Sequence, residues 1–290
     1  MVDEPVEILA HKSHVNDVAF SPDGKFLVSA GMDNLVKLWS PGDWELFSTF
    51  FGHEKSANSL SFTPDGEHLA TASTDGTVRV WSFPFGQPEK IREGYTSARI
   101  SPRGDVVASR DRKDRIRLWS LESGEVGATL DHEARVTATA FSPDGERLLA
   151  APAGREVVCW RVESGEEEGR FPADETAVAA LRFFDEGRRL VTTGQEGTAR
   201  VFSTDGWEEE LRFEVGPEGA YPLAMAPDES EVAVACAHVI RLFDTGEGSL
   251  REEREVKPKG VYALAYSPDG RWLVMGAADK KIRVWERSAA

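Results

Sequence analysis

The sequence repeats one pattern seven times at a nearly constant interval. Each repeat ends in an aromatic residue, and the steps between successive aromatic residues are 42, 38, 41, 42, 41 and 42 positions. These residues are Trp39, Trp81, Trp119, Trp160, Phe202, Phe243 and Trp285. A turn proline lies 17 residues before the aromatic residue, except in the sixth repeat, where the gap is 16, and in the fifth, where Asp185 replaces the proline. Units of this size cannot bury a hydrophobic face alone, so the chain is expected to stack seven similar units.

Each repeat consists of short segments with the composition of β-strands. In the first repeat, "VNDVAF" (15–20) ends at "SPDG", where proline favours a turn and glycine tolerates its exit geometry. The segments "KFLVSA" (25–30) and "LVKLWS" (35–40) follow, and a tight hairpin turn separates them. A polar turn then leads to a fourth segment, such as "VGATL" (126–130) in the third repeat. The sequence therefore predicts four strands per repeat and no helix.

Seven such sheets can bury a continuous core if they are arranged radially and stack face on face. The pattern resembles the WD-repeat (WD40) β-propeller family over residues 6–287, and the Gly-His and aromatic-Asp pairs of that family survive as Gly52-His53 and Phe243-Asp244. The resemblance implies an all-β fold class. It implies a single seven-bladed β-propeller with four antiparallel strands per blade, which spans residues 1–290 as one domain.

The two ends of the chain also fit this family. Residues 6–10 precede the first repeat where a fourth strand would lie, and the last repeat stops after its third strand. The resemblance implies that the N-terminal strand, residues 6–10, pairs beside residues 281–286 in the last blade. This pairing would close the ring and remove the exposed strand edges that promote aggregation.

The family further implies a hydrogen-bonded set of side chains within each blade. Its members are an entry-loop His, a second-strand Ser or Thr, a turn Asp and the Trp, and buried polar groups need such partners. By position they are His11, Ser29, Asp33 and Trp39 in the first repeat, and His53, Thr71, Asp75 and Trp81 in the second. The fourth repeat keeps His132 and Trp160 but has Ala150 and Gly154 at the other two positions. Because these residue types recur at equivalent positions, we interpret them as structural and not as a hydrolase triad.

Composition and charge narrow the class of partner. A net charge of −16 disfavours binding to nucleic acid and to anionic membranes. No apolar run approaches the ~20 residues of a membrane helix, and the start of the sequence has no secretory signal pattern. The two cysteines fit a reducing compartment, and no cluster has metal-ligand spacing. We expect a cytoplasmic monomer with no metal and no cofactor.

The function that the resemblance implies is a non-catalytic scaffold for protein–protein interaction. The resemblance implies that a peptide or protein domain binds on the top rim, around the mouth of the central channel. The candidate residues on this rim are His14, Asn16, Asn58, Tyr95, Arg112, Arg135, Tyr221 and Tyr262. Phe85 is a candidate contact on the opposite rim. Arginine pairs well with carboxylates, so Arg112 and Arg135 predict an acidic partner.

Two alternatives remain open at this stage. The chain could be a sensory or regulatory domain excised from a larger protein. It could also be an enzyme that uses the channel, but this would need a converging metal or nucleophile set that the sequence does not show.

Overall fold

The computed structural model describes residues 4–84, 86–93, 97–132, 134–217, 222–256 and 260–287, without the side chains of residues 87 and 93. Within these residues, 28 strands form seven four-stranded sheets. This arrangement confirms the predicted fold class, an all-β seven-bladed propeller with four antiparallel strands per blade.

The strands are numbered in chain order and the blades by repeat. Blade 1 contains β2 (Val15–Phe20), β3 (Leu27–Gly31), β4 (Val36–Trp39) and β5 (Leu46–Phe50). Blade 2 contains β6 (Ala57–Phe62), β7 (His68–Ser73), β8 (Thr77–Ser82) and β9 (Gln87–Glu93). Blade 3 contains β10 (Ala98–Ile100), β11 (Val106–Arg110), β12 (Ile116–Ser120) and β13 (Val126–Leu130). Blade 4 contains β14 (Val136–Phe141), β15 (Arg147–Pro152), β16 (Glu156–Arg161) and β17 (Glu167–Pro172).

The remaining blades follow the same order. Blade 5 contains β18 (Val178–Phe184), β19 (Arg189–Gly194), β20 (Thr198–Ser203) and β21 (Glu209–Glu214). Blade 6 contains β22 (Leu223–Met225), β23 (Glu231–Cys236), β24 (Val239–Asp244) and β25 (Leu250–Glu255). Blade 7 contains β26 (Val261–Tyr266), β27 (Trp272–Ala277), β28 (Lys281–Glu286) and the first strand of the chain, β1 (Val6–Leu9).

The expectation that the chain contains no helix is wrong at one turn. Asp185–Gly187 forms a single turn of 3₁₀ helix in blade 5, where the repeat has lost its turn proline. Asp185 and Glu186 both adopt φ of 53°, and the backbone N–H of Asp185 donates to Glu229 Oε2 at 2.7 Å. Without a proline to hold φ near −65°, the chain takes a different turn at this position.

The described residues group into two compact units. One is drawn from residues 1–127 and 258–290 and contains blades 1, 2 and 7 with most of blade 3. The other is drawn from residues 128–257 and contains blades 4, 5 and 6. The boundary falls within β13, and the expectation of one domain over residues 1–290 stays a prediction.

The N-terminal strand completes the last blade, as the sequence predicts. Strand β1 pairs antiparallel with β28, from Val6 opposite Val284 to Leu9 opposite Lys281. Glu7 accepts hydrogen bonds from Lys281 Nζ at 2.5 Å and from Arg283 Nε at 2.8 Å. The first and last strands of the described chain therefore hold each other in one sheet.

The core lies between successive blades. Val28 and Leu38 of blade 1 pack in one buried cluster with Leu60 and Trp81 of blade 2. The same arrangement recurs between blades 4 and 5, where Leu149 packs with Phe202. In both examples the repeated aromatic residue, Trp81 or Phe202, packs against the preceding blade, which accounts for its recurrence at a regular spacing.

Candidate functional site

Entry loops and hairpin turns lie side by side on one edge of the blades. The backbone N–H of Met32 donates to the carbonyl of His14 at 2.9 Å, and that of Thr74 donates to Ser56 at 3.1 Å. The equivalent bond in blade 4 joins Ala153 N–H to the carbonyl of Arg135 at 2.6 Å. We call this edge the entry rim: the loop before the first strand of a blade, together with the turn between its second and third strands.

Three predicted rim residues sit at β-bulges. In blade 1, Val15 pairs with Gly31 and Asp17 with Ala30, so Asn16 is the extra residue between them. Asn58 and Tyr262 occupy the same position in blades 2 and 7. A bulge locally reorients a side chain, and here it turns these three out of the regular alternation of the strand.

The structure brings Asn16 and Asn58 together. Asn16 Nδ2 donates to Ser56 Oγ and to the carbonyl of Ala57, both at 2.8 Å, and to Asn58 Oδ1 at 3.2 Å. Asp17, which the sequence analysis did not single out, accepts from the backbone N–H of Leu60 at 2.8 Å. These polar side chains connect blade 1 to blade 2, so part of their hydrogen-bonding capacity is used within the protein.

His14 and Tyr262 form a second pair on the rim. Their rings stack with centroids 5.5 Å apart and planes inclined by 27°. Tyr262 keeps 46% of its surface exposed. This stacked pair presents an aromatic surface to solvent where blades 1 and 7 meet.

The cationic hairpin of blade 3 is largely neutralised by its own carboxylates. Asp111 accepts from Arg115 at 2.7 Å and from Arg117 at 3.2 Å, and Arg110 lies 3.4 Å from Asp114. These contacts leave only part of the hairpin's positive charge for a partner.

The two predicted contact arginines are exposed. Arg112 reaches over blade 2 and donates to the carbonyl of Asp75 at 3.4 Å. Arg112 and Arg135 belong to different compact units. Tyr95, Tyr221 and Phe85 lie outside the described residues.

The blade networks have the contacts that the family pattern implies. In blade 1, His11 bonds Asp33 at 2.7 Å and Ser29 at 2.8 Å, and Trp39 Nε1 donates to Ser29 Oγ at 2.9 Å. Asp33 also accepts from the backbone N–H of Lys12 at 2.8 Å. The network therefore ties the entry loop to the hairpin turn.

Blade 2 repeats the arrangement. His53 bonds Asp75 at 2.9 Å and Thr71 Oγ1 at 2.7 Å, and Trp81 Nε1 donates to the same Thr71 oxygen at 2.8 Å. One neutral tautomer satisfies every group, with His53 Nδ1–H donating to Asp75 and Nε2 accepting from the Thr71 hydroxyl. Burial lowers the pKa of His53 despite its hydrogen bond to Asp75, which favours this neutral form.

The same carboxylate makes blade 2 sensitive to acid. Burial alone would raise the pKa of Asp75, but hydrogen bonds from Thr77, His53 and the backbone of Glu54 outweigh burial and lower the pKa to about 2. A depressed carboxyl pKa contributes stability above the unfolded value near 3.8, and this contribution is lost as pH falls toward 2. His53 favours the neutral form, so its contribution already weakens as pH falls below 6.5.

We therefore expect the stability contributed by His53 to weaken as pH falls below 6.5, and that contributed by Asp75 to be lost as pH falls from about 3.8 toward 2. The Asp75→Asn variant should start from lower stability and lose less of it between pH 4 and pH 2, because it has no carboxylate to protonate there. Urea unfolding at a series of pH values measures both slopes. If the free energy of unfolding fell with pH in the same way for the variant and the parent, Asp75 would not be the source of the acid sensitivity.

Blade 4 lacks the middle of the network. Ala150 replaces the hydroxyl residue, and His132 Nε2 and Trp160 Nε1 are both buried and have no hydrogen-bond partner among the described residues. Their rings still meet edge to face at 5.5 Å, as His53 and Trp81 do at 6.1 Å. The geometry of the pair is kept, but Gly154 replaces the turn carboxylate and Ala150 removes the bridging oxygen.

Restoring that oxygen should stabilise the protein. Ala150→Ser is expected to raise the free energy of unfolding by about 1 kcal/mol, because it satisfies two buried polar atoms at once. Ala151→Ser is the matched control, since Ala151 is equally buried and points to the opposite face of the strand. The control should destabilise, and thermal unfolding of both variants provides the comparison. A loss of stability in Ala150→Ser would refute the missing-bridge interpretation.

Groups that could support catalysis are few among the described residues. No set of three or more His, Cys, Asp or Glu residues could hold a metal ion there. Burial, aided by Glu168, raises the pKa of the Cys159 thiol to about 11, so this thiol is a poor nucleophile at neutral pH. No helix in the described part of the chain is long and apolar enough to cross a membrane.

Comparison with known proteins identifies the family. The family model for the WD domain, G-beta repeat (WD40), matches residues 3–40, 44–82, 124–161 and 253–286, which together make up just over half of the chain. The chain belongs to this family. The resemblance inferred from the repeats is thereby confirmed.

Its relatives are longer proteins with varied names. An uncharacterized WD repeat-containing protein of Synechocystis is 35% identical over 216 residues, which is 70% of this chain and 60% of the relative. The periodic tryptophan protein 2 homolog of Dictyostelium discoideum is 24% identical over 208 residues, 68% of this chain and 22% of the relative. Subunit I of eukaryotic translation initiation factor 3 from Coccidioides immitis is 25% identical over 195 residues, which is 66% of this chain and 46% of the relative. This chain therefore covers less than two thirds of each of these relatives.

Proposed function

We propose that this protein is a non-catalytic scaffold that binds a peptide or a protein domain on its entry rim. The observation that carries the proposal is the hydrogen bonding between turn and entry loop on that rim in blades 1 and 2. Asp33 and Asp75 accept the backbone N–H groups of Lys12 and Glu54, at 2.8 and 3.1 Å, so the turn of each blade fixes its entry loop. A surface that is ordered before binding loses less entropy when a partner docks.

Family membership supports the proposed scaffold function. One relative is by name a subunit of a translation initiation factor, a kind of protein that works within an assembly. The histidines that could suggest hydrolase chemistry, His11 and His53, are buried and bonded inside their blades. We further propose that the protein is cytoplasmic and monomeric.

The proposed partner carries acidic residues that meet Arg112 and Arg135. Both guanidinium groups are on exposed residues, and arginine pairs with carboxylates through two parallel hydrogen bonds. With a net charge of −16, long-range attraction does not favour an acidic partner, so its recognition must come from such short-range contacts.

A charge-reversal experiment tests this proposal. Once a partner has been captured from the native host and purified, Arg112→Glu with Arg135→Glu should weaken binding more than tenfold, or about 1.4 kcal/mol. The matched control is Lys25→Glu with Arg271→Glu, which changes the net charge equally at exposed turns between first and second strands. Equal binding by both double variants and the parent would rule out the arginine site.

A further inference from the structure

Blade 4 contains a cavity of about 280 Å³ on the entry rim. Its lining includes the entry-loop residues Asp131 and His132, the turn residue Gly154, and Val158 and Trp160 of β16. Arg135 lies beside it, since its carbonyl accepts the N–H of Ala153, another lining residue. The cavity is far larger than the space one water molecule needs.

The repeat pattern explains why the space exists. In six of the seven repeats, the residue two positions before the aromatic residue is a lysine or an arginine. These residues are Lys37, Arg79, Arg117, Arg200, Arg241 and Arg283. In blade 4 the position is Val158, and the turn position that is acidic in blades 1, 2, 5 and 7 is Gly154. Two long or charged side chains are thus replaced by two short uncharged ones.

The cations of the other blades occupy the region between the entry loop and the turn. Lys37 Nζ donates to the carbonyl of Ala10 at 2.5 Å, immediately before the entry-loop histidine of blade 1. Arg241 Nη1 donates to the carbonyl of Val215, the equivalent position before blade 6. Arg283 Nη2 donates to Asp279 in the turn of blade 7 at 2.6 Å. The fold therefore provides acceptors around this position for a cationic side chain.

We propose that the blade 4 cavity binds the guanidinium group of an arginine side chain supplied by the docking partner, in the place where other blades hold a cation of their own. This proposal rests on the proposed scaffold function and adds one specific contact to it. The partner then offers a basic side chain to the cavity and an acidic one to the neighbouring Arg135.

The charge of the lining favours a cation. Among the described residues of the lining, the carboxylates are Asp131, Glu156 and Glu167, against the guanidinium groups of Arg155 and Arg170. Arg170 makes a double hydrogen bond to Glu167, at 2.9 and 2.8 Å, and a longer contact of 3.5 Å to Glu156. Of the two carboxylates that contact Arg170, Glu156 is therefore the less tightly held.

The aromatic wall favours the same ligand. Trp160 lines the cavity, and the face of a tryptophan attracts a cation within ~6 Å, arginine more often than lysine. Burial lowers the pKa of His132, so this neighbour is mainly neutral at pH 7 and does not repel a guanidinium group.

The direct test is a titration of the intact protein with N-acetyl-L-arginine amide. With ¹⁵N-labelled tryptophan, the indole N–H signal of Trp160 is assigned by its absence in Trp160→Phe. We expect this signal to shift saturably with the arginine probe. N-acetyl-L-glutamine amide, which is neutral, and N-acetyl-L-aspartic acid amide, which is anionic, should bind at least tenfold more weakly.

Two variants locate the binding. Val158→Arg gives blade 4 the cation that the other blades have, so it should abolish the shift, and thermal unfolding shows whether the variant has folded. Glu156→Gln keeps the volume of the cavity and should weaken the arginine probe at least threefold without affecting the glutamine probe. Equal affinity for all three probes, or an unchanged shift in folded Val158→Arg, would overturn the proposal.

The captured partner separates this proposal from the scaffold function. If Val158→Arg weakens the partner complex at least tenfold, the cavity is part of the docking site. If the complex forms with unchanged affinity, the cavity proposal falls while the scaffold function stands. If no partner is captured at all, the scaffold function fails, and the probe titration still decides whether the cavity binds a cation.

Discussion

Deletion of residues 1–9 is expected to lower the free energy of unfolding by roughly 3–5 kcal/mol, which is a large share of the stability of an ordinary domain. The truncated chain loses the pairing of β1 with β28 and the hydrogen bonds from Lys281 and Arg283 to Glu7. It also loses the packing of Ile8 against the cluster that contains Ile282. Thermal and urea unfolding of the two chains measure the difference.

Two controls distinguish loss of the strand from a general effect of changing the terminus. Leu9→Ser alters a side chain that is 72% exposed, so it should change stability by less than about 0.5 kcal/mol. A synthetic peptide of residues 4–10, added to the truncated chain, should restore part of the lost stability in a concentration-dependent way. A truncated chain that melts at the temperature of the parent would refute the closure of blade 7 by β1.

Thr71→Val is expected to destabilise the protein by about 2–4 kcal/mol. Valine has nearly the shape of threonine, so the packing of blade 2 is retained while the hydroxyl is lost. Trp81 Nε1 and His53 Nε2 both bond that hydroxyl, and both would remain buried without a partner. The variant would remove from blade 2 the hydroxyl that blade 4 lacks at Ala150, while Asp75 would still bond His53.

Thr71→Ser is the matched control, because it keeps the oxygen and removes only a methyl group. We expect it to cost about 1 kcal/mol, in line with the loss of one buried methyl. Urea unfolding of the two variants side by side measures how much the Thr71 hydroxyl contributes to the free energy of unfolding. If both variants lost the same stability, the hydrogen bonds of Thr71 would contribute nothing and the network assignment would be wrong.

Much of the fold could be predicted because its determinants are local and repeated. The distance from the turn position to the aromatic residue is set by two strands and the hairpin between them, and its recurrence as 17 residues in six repeats and 16 in the sixth predicts seven blades. The closing pair β1 and β28 followed from what the first and last repeats lack. The turn at Asp185 was missed because the proline that restrains the other turns is absent there, and the sequence around it does not show which turn replaces it.

Contacts between blades were harder to predict. Asn16 and Asn58 were chosen as separate rim candidates, but the bulge at each brings them within hydrogen-bond distance of each other. Arg112 was expected to face a partner, and it reaches the carbonyl of Asp75 in the neighbouring blade. The spacing within a repeat carries no information about such contacts. The sequence does indicate the cavity of blade 4, because Val158 stands where the other repeats have Lys or Arg. That difference can be interpreted only when the structure shows which groups accept hydrogen bonds from those Lys and Arg side chains.

The pairing of β1 with β28 also affects when the fold can be completed. Val6 and Val284 are partners, so this contact joins nearly the whole length of the chain. During synthesis β1 emerges before β28, and the strands of six other blades lie between them in the sequence. Until β28 has emerged, β1 has no strand to pair with, and afterwards β28 offers a bare edge until the two meet. The entropy of closing so long a loop makes this joining a late step of folding. Before β1 and β28 pair, the open strand edges are therefore most prone to pair wrongly with another copy of the chain.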